Sequence, residues 1–367
     1  VANNGLIVER AIFNAFAARG TVRAAMKELE NEGLLAAGRG NGRVVRATPD
    51  GPAVEPPASL AAGRVLRETV VFARVPHTPV ANNGLIVERA IFNAFAARGN
   101  PVLAVDLNNA DAQALDRLIA GRPLGLVAPH AVAFSEGCRE KLHAIEAAGI
   151  PVVVQGDGDE LEAFSRVISD HRQGIRLLVE HLRERGIERP VQVRSIGFGP
   201  LPYWAKPRYD GFDEDAADLD ARIVRDRPDT FTGGESADDE ATFDFRVRLM
   251  AGLLVEQLTG PKPADALLFD TDYLCFYAAT ALRRFGLEPN EDVLLVGYDD
   301  YWTTSPLRRF ERASVDVTIN KDEETAGETL AALLLDRLQT SGDPPPTATD
   351  GRLHVRPPKL VVTPTTF

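Results

Sequence analysis

The run Asp292-Val293-Leu294-Leu295-Val296-Gly297-Tyr298-Asp299-Asp300 decides the fold class. Four apolar residues in succession, Val293 to Val296, form the pattern of a short strand covered on both faces. Polar residues then gather at its carboxyl end, where open α/β sheets bind their ligands. Similar apolar runs occur at Val70–Ala73, Val102–Val105, Gly125–Ala128, Val152–Val154, Val191–Ile196 and Ala266–Phe269. Helical periodicity lies between them. Ile175, Leu178, Val179 and Leu182 mark one apolar face, Leu274, Ala278, Ala281, Leu282 and Phe285 a second, and Ala326, Leu330, Leu333 and Leu334 a third. Such alternation predicts an α/β fold with parallel sheets covered on both faces. Seven or more units exceed one compact layer sandwich, so two similar lobes are expected.

The chain has 367 residues, 44% of them hydrophobic and 26% charged, a composition that buries a substantial core in two or three domains. No apolar run reaches the ~18 residues of a membrane span, and no signal-peptide pattern opens the sequence, so a soluble cytoplasmic protein is expected. Two cysteines, Cys138 and Cys275, with no CxxC or Cys/His cluster, argue against a disulfide framework or a structural metal. Neither metal nor cofactor is expected. An enzyme is not expected either: GxSxG, GxxxxGK[ST] and HExxH are all absent. The Asp213–Asp218 stretch reads as a solvated helix face.

Charge is unevenly distributed. Residues 21–48 carry Arg23, Lys27, Arg39, Arg43 and Arg46 against Glu28, Glu30 and Glu32, for +2, and residues 1–20 add +1. Against the chain's −12, that leaves −15 on the rest. A small, mildly basic N-terminal unit is thus joined to an acidic body, an asymmetry that permits DNA binding. Residues 1–20 also duplicate residues 80–99 at every position. Natural repeats drift, so the first copy reads as an artefact or a very recent duplication. At the second copy Val87, Ala90, Ile91, Ala94 and Phe95 form an amphipathic helix that opens at Asn82 or Asn83 and ends at Gly99.

From Thr21, the spacing of Val22, Ala25, Met26 and Leu29 predicts a helix stopped by Gly33. Leu34–Ala37 and Arg43–Arg46 then read as two short strands around Gly38-Arg39-Gly40-Asn41-Gly42. This order, with Arg19-Gly20-Thr21-Val22-Arg23-Ala24-Ala25-Met26 at its head, resembles the second half of a GntR-type winged helix-turn-helix. The resemblance implies a partial DNA-binding unit at 21–48. Arg19, Thr21 and Arg23 would meet the major groove, and Arg39 and Arg43 on the wing would meet the backbone or minor groove. Pro52, Pro56 and Pro57 make residues 49–66 a linker.

Four further blocks carry a longer resemblance: Ile168-Ser169-Asp170-His171-Arg172-Gln173-Gly174; Arg208-Tyr209-Asp210-Gly211-Phe212; residues 264–272, ending Asp270-Thr271-Asp272; and residues 292–300. In order and spacing, residues 67–367 resemble the effector domain of the lactose/galactose-repressor family, which shares its fold with periplasmic sugar-binding proteins. The resemblance implies a two-lobed, type I periplasmic-binding-protein-like domain, with lobe 1 at about 67–182 and 317–348 and lobe 2 at about 183–316 and 349–367. It places Asp170, Arg208 and Asp299 against the effector, with Thr271 and Asp272 beside them where Asn-Asp is usual. Two carboxylates and a guanidinium suit a sugar or polyol. Each also has a plainer reading: Asp170 as a helix cap, Asp299 as a turn residue, Arg208 as a surface ion pair. Trp204, Phe243, Phe245, Tyr301 and Trp302 are candidates for stacking on a sugar face.

Together the two resemblances imply an arabinose-repressor-like architecture: a homodimeric transcription repressor with operator DNA and a small carbohydrate effector as partners. The alternative is a carbohydrate-binding module without DNA-binding activity.

Overall fold

The computed structural model describes residues 35–37, 43–45, 66–74, 82–133, 135–195, 201–225, 239–313, 315–340 and 352–363. The chain divides into two units, 1–61 and 62–367. In the first, Leu35–Ala37 (β1) and Arg43–Val45 (β2) pair antiparallel, Leu35 opposite Val45 and Ala37 opposite Arg43. That is the hairpin expected on either side of the glycine-rich turn. The expected helix from Thr21, the residues Arg19, Thr21, Arg23 and Arg39, and the side chain of Arg43 lie outside the described residues.

The second unit holds two six-stranded sheets. One comprises Val70–Arg74 (β3), Val102–Asp106 (β4), Gly125–Ala128 (β5), Val152–Gln155 (β6), Ser165–Ser169 (β7) and Leu353–Arg356 (β13), in the spatial order β13-β7-β6-β5-β3-β4. All its neighbours are parallel. Parallel strands need crossover helices, and these lie on both faces. Asn82–Ala96 (α1) and Glu323–Thr340 (α9) cover one; Ala112–Gly121 (α2), the short His130–Ala133 (α3) and Glu136–Ala147 (α4) cover the other. The period of two sorts the strand residues. Val71, Ala73, Leu126, Ala128, Val152 and Val154 pack with Cys138, Leu142 and Ile145, while Val70, Phe72, Val127 and Val153 pack with Val87, Ile91, Phe95, Leu330 and Leu334. Burying each large aliphatic side chain stabilises by roughly 1.5–3 kcal/mol, which is why these strands read as unbroken apolar runs.

The second sheet comprises Pro190–Arg194 (β8), Arg222–Arg225 (β9), Ala266–Phe269 (β10), Leu294–Val296 (β11), Val317–Asn320 (β12) and Lys359–Val362 (β14), in the order β14-β12-β11-β10-β8-β9. Only β14 runs antiparallel to its neighbour. His171–Glu184 (α5) and Ala205–Asp215 (α6) cover one face. Glu240–Thr259 (α7) and Asp272–Arg284 (α8) cover the other.

The chain passes between the lobes three times, after β7, after β12 and between β13 and β14. These crossings fall near residues 170, 321 and 357, whereas the sequence placed them near 182, 316 and 348. Packing explains the shift. Ile175, Leu178, Val179 and Leu182 of α5 bury against Phe212, Leu268, Val296 and Ile319, so this helix belongs to the second lobe. Val317 and Ile319 of β12 join the same core, and Pro357-Pro358 carries the last crossing.

Candidate ligand-binding cleft

Because every strand but β14 runs parallel to its neighbours, the strand ends that carry polar residues are carboxyl ends. Gln155 ends β6, Asp170 follows β7, Asp270 and Thr271 follow β10, and Asp299 lies beyond β11. Lys321 follows β12 on the second crossing, two residues before Glu323 opens α9.

Arg208 is 3% exposed on α6. Its Nη1 donates to the carbonyl of Asp270 at 2.8 Å, and its guanidinium carbon stands 3.5 Å from the ring centre of Tyr298 and 4.5 Å from that of Trp204. Guanidinium–ring contacts of this kind are strongest when desolvated. Its Nη2 lies 3.9 Å from Asp299 Oδ1. The same oxygen is 2.8 Å from Lys321 Nζ, which is 3.0 Å from Glu323 Oε1. Gln155 Nε2 donates to Glu323 Oε2 at 2.5 Å, and the backbone N–H of His130 donates to Gln155 Oε1 at 3.4 Å. A connected polar line therefore runs from the second lobe, through the crossing, into the first.

Burial opposes charge at both ends of the central pair. For Lys321 it works to remove the proton, but Asp299 and Glu323 reverse this and hold the ammonium firmly charged. Asp299 is likewise pushed up by burial and brought below the usual carboxylate range by Lys321 and Arg208. The two cations act differently on the imidazoles. His130 is lowered to about 4, by burial first and then by Lys321 and Arg208, and His171 falls well below its ordinary value for the same reasons, with Arg208 ahead of Lys321. Burial raises the phenols of Tyr203 and Tyr298, the latter to about 12. Tyr203 packs edge-on to His130 at 5.2 Å and tilted against His171 at 5.8 Å.

The turn that presents Asp299 is held in unusual backbone geometry, with φ of 101° at Asp299 and 56° at Asp300. Positive φ is costly for residues with a Cβ and persists where surrounding contacts fix it. Here the Asp299 N–H donates to the Ile319 carbonyl at 2.8 Å, and Asn320 Nδ2 donates to Asp300 Oδ2 at 2.7 Å. Two glycines allow the close approach behind it: a Cβ at Gly174 would overlap the Tyr298 hydroxyl, and one at Gly297 would overlap Asp272 Oδ1.

The five residues expected at the effector divide by geometry. Arg208 and Asp299 come together at the centre. Thr271 stands beside them, its hydroxyl 2.5 Å from that of Tyr301. Asp170 caps α5, accepting from the Gln173 N–H at 2.9 Å. Asp272 is fully buried and committed elsewhere: Oδ1 accepts from the Thr318 hydroxyl at 2.7 Å, and Oδ2 accepts from the N–H groups of Tyr301 and Trp302 at 2.8 and 3.2 Å. It braces the Asp299 turn instead of facing a ligand. Burial raises its carboxyl to about 8 against the pull of Thr318 and the two amides.

The stacking candidates fare similarly. Phe243 stacks on Phe310 in the core at 4.9 Å, Tyr301 is buried, Phe245 is 52% exposed, and one face of Trp204 is occupied by Arg208. Sequence reading missed Gln155, His130, His171, Lys321, Glu323, Tyr203 and Tyr298. The one available signal was the alternation Val317-Thr318-Ile319-Asn320 just before Lys321, which is that of a strand ending at a polar rim.

The periplasmic binding protein-like domain family matches residues 179–361. The chain contains a periplasmic-binding-protein-like domain. Its two-sheet, type I architecture also matches solved structures of similar extent. A LacI-family regulatory protein from Chloroflexus aggregans aligns with a TM-score of 0.60 at 18% identity, over 81% of this chain and 98% of that one. A periplasmic binding protein/LacI transcriptional regulator from Alkaliphilus metalliredigens, complexed with D-xylulofuranose, gives 0.56 at 19%, over 82% and 99%. The lactose repressor bound to an anti-inducer gives 0.56 at 20%, over 82% and 100%. At these identities the likeness is one of fold. No curated protein matches the sequence. In the periplasmic-binding-protein-like domain the cleft lies between two lobes joined by three crossings, and the line from Arg208 to Gln155 runs through one of them. Among the described residues no cluster of histidine, cysteine and carboxylate side chains has the makings of a metal site, and no helix is long and apolar enough to cross a membrane.

Proposed function

We propose that this protein is a DNA-binding transcriptional repressor whose operator affinity is controlled by a small carbohydrate bound in the cleft of its periplasmic-binding-protein-like domain. The observation that carries the reading is the meeting of Arg208 and Asp299 with Lys321 and Glu323 at the carboxyl ends of strands, where open α/β sheets take their ligands. Carboxylates accept sugar hydroxyls, and guanidinium and ammonium groups donate to sugar oxygens. Arg208 and Asp299 hold the ligand, Thr271 and Asp170 flank it, and Asp272 acts indirectly through the turn it braces. The solved structures of like fold support the regulator part, several being LacI-family transcription regulators and one holding a furanose sugar. The +2 charge of residues 21–48 against the acidic body supports the DNA part. In this reading that segment is the recognition helix and wing of a GntR-type unit, with Arg19, Thr21, Arg23, Arg39 and Arg43 toward DNA. The protein works in the cytoplasm as a homodimer on a two-fold operator. No chemical step is involved. Ligand closes the cleft, shifts one lobe against the other and lowers operator affinity, with a coupling of ~1–3 kcal/mol.

Two measurements on the full chain test this. A thermal-shift screen of pentoses, hexoses, sugar acids, sugar phosphates and polyols should find a ligand whose effect Arg208→Ala and Asp299→Ala abolish. Operator titration at two salt concentrations should then show affinity that falls steeply with salt and drops when that ligand is added. A bound carbohydrate that leaves operator affinity unchanged would reduce the protein to a carbohydrate-binding module, and a screen in which nothing binds would remove the sensor reading.

A further inference from the structure

The charge arrangement of the cleft narrows what it can hold. Arg208 and Lys321 are its central cations, and Asp299 and Glu323 its central carboxylates. Asp299 faces both cations, Lys321 sits between the two carboxylates, and Gln155 closes the line through Glu323 Oε2. The groups around this quartet add no positive charge. Burial, with the neighbouring cations behind it, keeps His130 and His171 in the neutral form, and Tyr203 and Tyr298 keep their protons. The other carboxylates around the quartet are satisfied locally: Asp157 by Arg166 at 2.8 Å, Asp270 by Ser195 and Tyr209 at 2.7 Å each, Asp170 by the Gln173 N–H at 2.9 Å, and Asp272 by the Thr318 hydroxyl and the Tyr301 N–H at 2.7 and 2.8 Å. Neither cation is thus left over for an anion. A phosphate or carboxylate entering here would be a buried charge with no counter-charge, or would have to take a cation from Asp299 or Glu323 and leave that group unpaired. Uncharged hydroxyl groups can bond to members of the quartet without breaking the balance.

We infer that the cleft is charge-balanced for an uncharged polyhydroxy ligand, and that Lys321 and Glu323 are the residues that set this selectivity against phosphorylated, acidic and amino sugars. The inference rests on the carbohydrate-sensor reading and deepens it. Lys321 supplies the donor for a ligand oxygen, and Glu323 keeps that donor from becoming an anion site.

The test uses the full chain and isothermal titration with matched sets built on glucose, xylose and ribose: the free sugar and its available phosphate, aldonate and amino derivatives. Wild type should bind one free sugar at least about tenfold more tightly than its charged derivatives, which is the scale on which one close charge acts. Glu323→Gln shifts the balance by +1 and should improve the aldonate and phosphate about tenfold relative to the free sugar. Lys321→Met shifts it by −1 and should favour the amino sugar by a similar factor. Ligand-free melting of each variant checks that it folds; should one not fold, wild-type selectivity and the other variant still decide. A wild type that prefers phosphate or aldonate overturns this inference alone and leaves a carbohydrate sensor. Binding of no carbohydrate of any charge overturns the sensor reading, and this inference with it.

Discussion

Replacing Arg208 with methionine keeps the unbranched stem of the side chain and deletes its guanidinium group, so the consequences can be worked from the contacts that group makes. The 2.8 Å bond to the Asp270 carbonyl is lost, at about 1–1.5 kcal/mol. The contacts with Tyr298 and Trp204 lose their electrostatic part, about 1–2 kcal/mol for a desolvated pair of rings. Asp299 keeps Lys321 but loses its second cation, and breaking a buried ionic contact without removing both partners leaves an uncompensated charge. The two quantified losses sum to about 2–3.5 kcal/mol, to which the uncompensated Asp299 adds, so the melting temperature should fall by at least about 4 °C for a unit of this size. Differential scanning calorimetry on the full chain measures it. A second consequence is independent of stability: Arg208 is the largest charge holding His171 down, so the His171 imidazole should titrate higher in the variant, read by NMR from its ring protons. A melting temperature within about 2 °C of wild type, less than 1 kcal/mol, together with an unmoved His171, would refute the claim that Arg208 is the ionic centre of the cleft.

Other expectations follow from the same geometry. His130 stays neutral down to about pH 4, while an unfolded histidine takes up its proton near 6.5; the unfolded state therefore binds more protons in that window. Stability should fall by up to ~3 kcal/mol as pH drops from 6.5 toward 4, and His130→Gln should flatten that limb in urea titrations. Asp272 has the opposite sign: its carboxyl keeps a proton up to about pH 8 where the unfolded chain has lost it, so its contribution is present below about pH 4 and lost as pH rises through 8. The stability of wild type relative to Asp272→Asn should fall with rising pH, and a difference constant between pH 5 and 8 would contradict the raised value. Gly174→Ala drives a methyl group into the Tyr298 hydroxyl and should cost about 1–3 kcal/mol by overpacking while weakening ligand binding, because Tyr298 precedes Asp299; unchanged binding would separate that glycine from the cleft.

Much of this architecture could be read along the chain. Burial on both sheet faces forces apolar residues into consecutive positions, so the runs at residues 70, 102, 125, 152, 191, 266 and 293 marked strands within a residue or two of their observed limits, with Ile196 beyond the described residues. Ser165–Ser169, Arg222–Arg225, Val317–Asn320 and Leu353–Arg356 lack that signal, and Lys359–Val362 carries it only in the short run Leu360-Val361-Val362. Arg222–Arg225, Leu353–Arg356 and Lys359–Val362 are sheet edges, where only part of each strand is covered. Val317–Asn320 is internal, yet alternates with polar residues as it approaches the cleft. The lobe boundaries were misplaced for a related reason: an amphipathic helix such as α5 shows that it packs, but not on which sheet.

Sequence by itself determined the α/β class and the doubling into two lobes, because each leaves a local pattern of periodicity; the grouping of Arg208 with Asp299 came only through the family resemblance of the blocks around them. Only the tertiary structure decided that Asp272 braces a turn, that Trp204 lies against Arg208, and that Lys321 links Asp299 to Glu323. Gln155 and Glu323 stand 168 positions apart along the chain. What joins them is the packing of α9 on the first sheet, which sets Glu323 beside the carboxyl end of β6, and buried charge can be kept there only where opposite charges from separate elements arrive together.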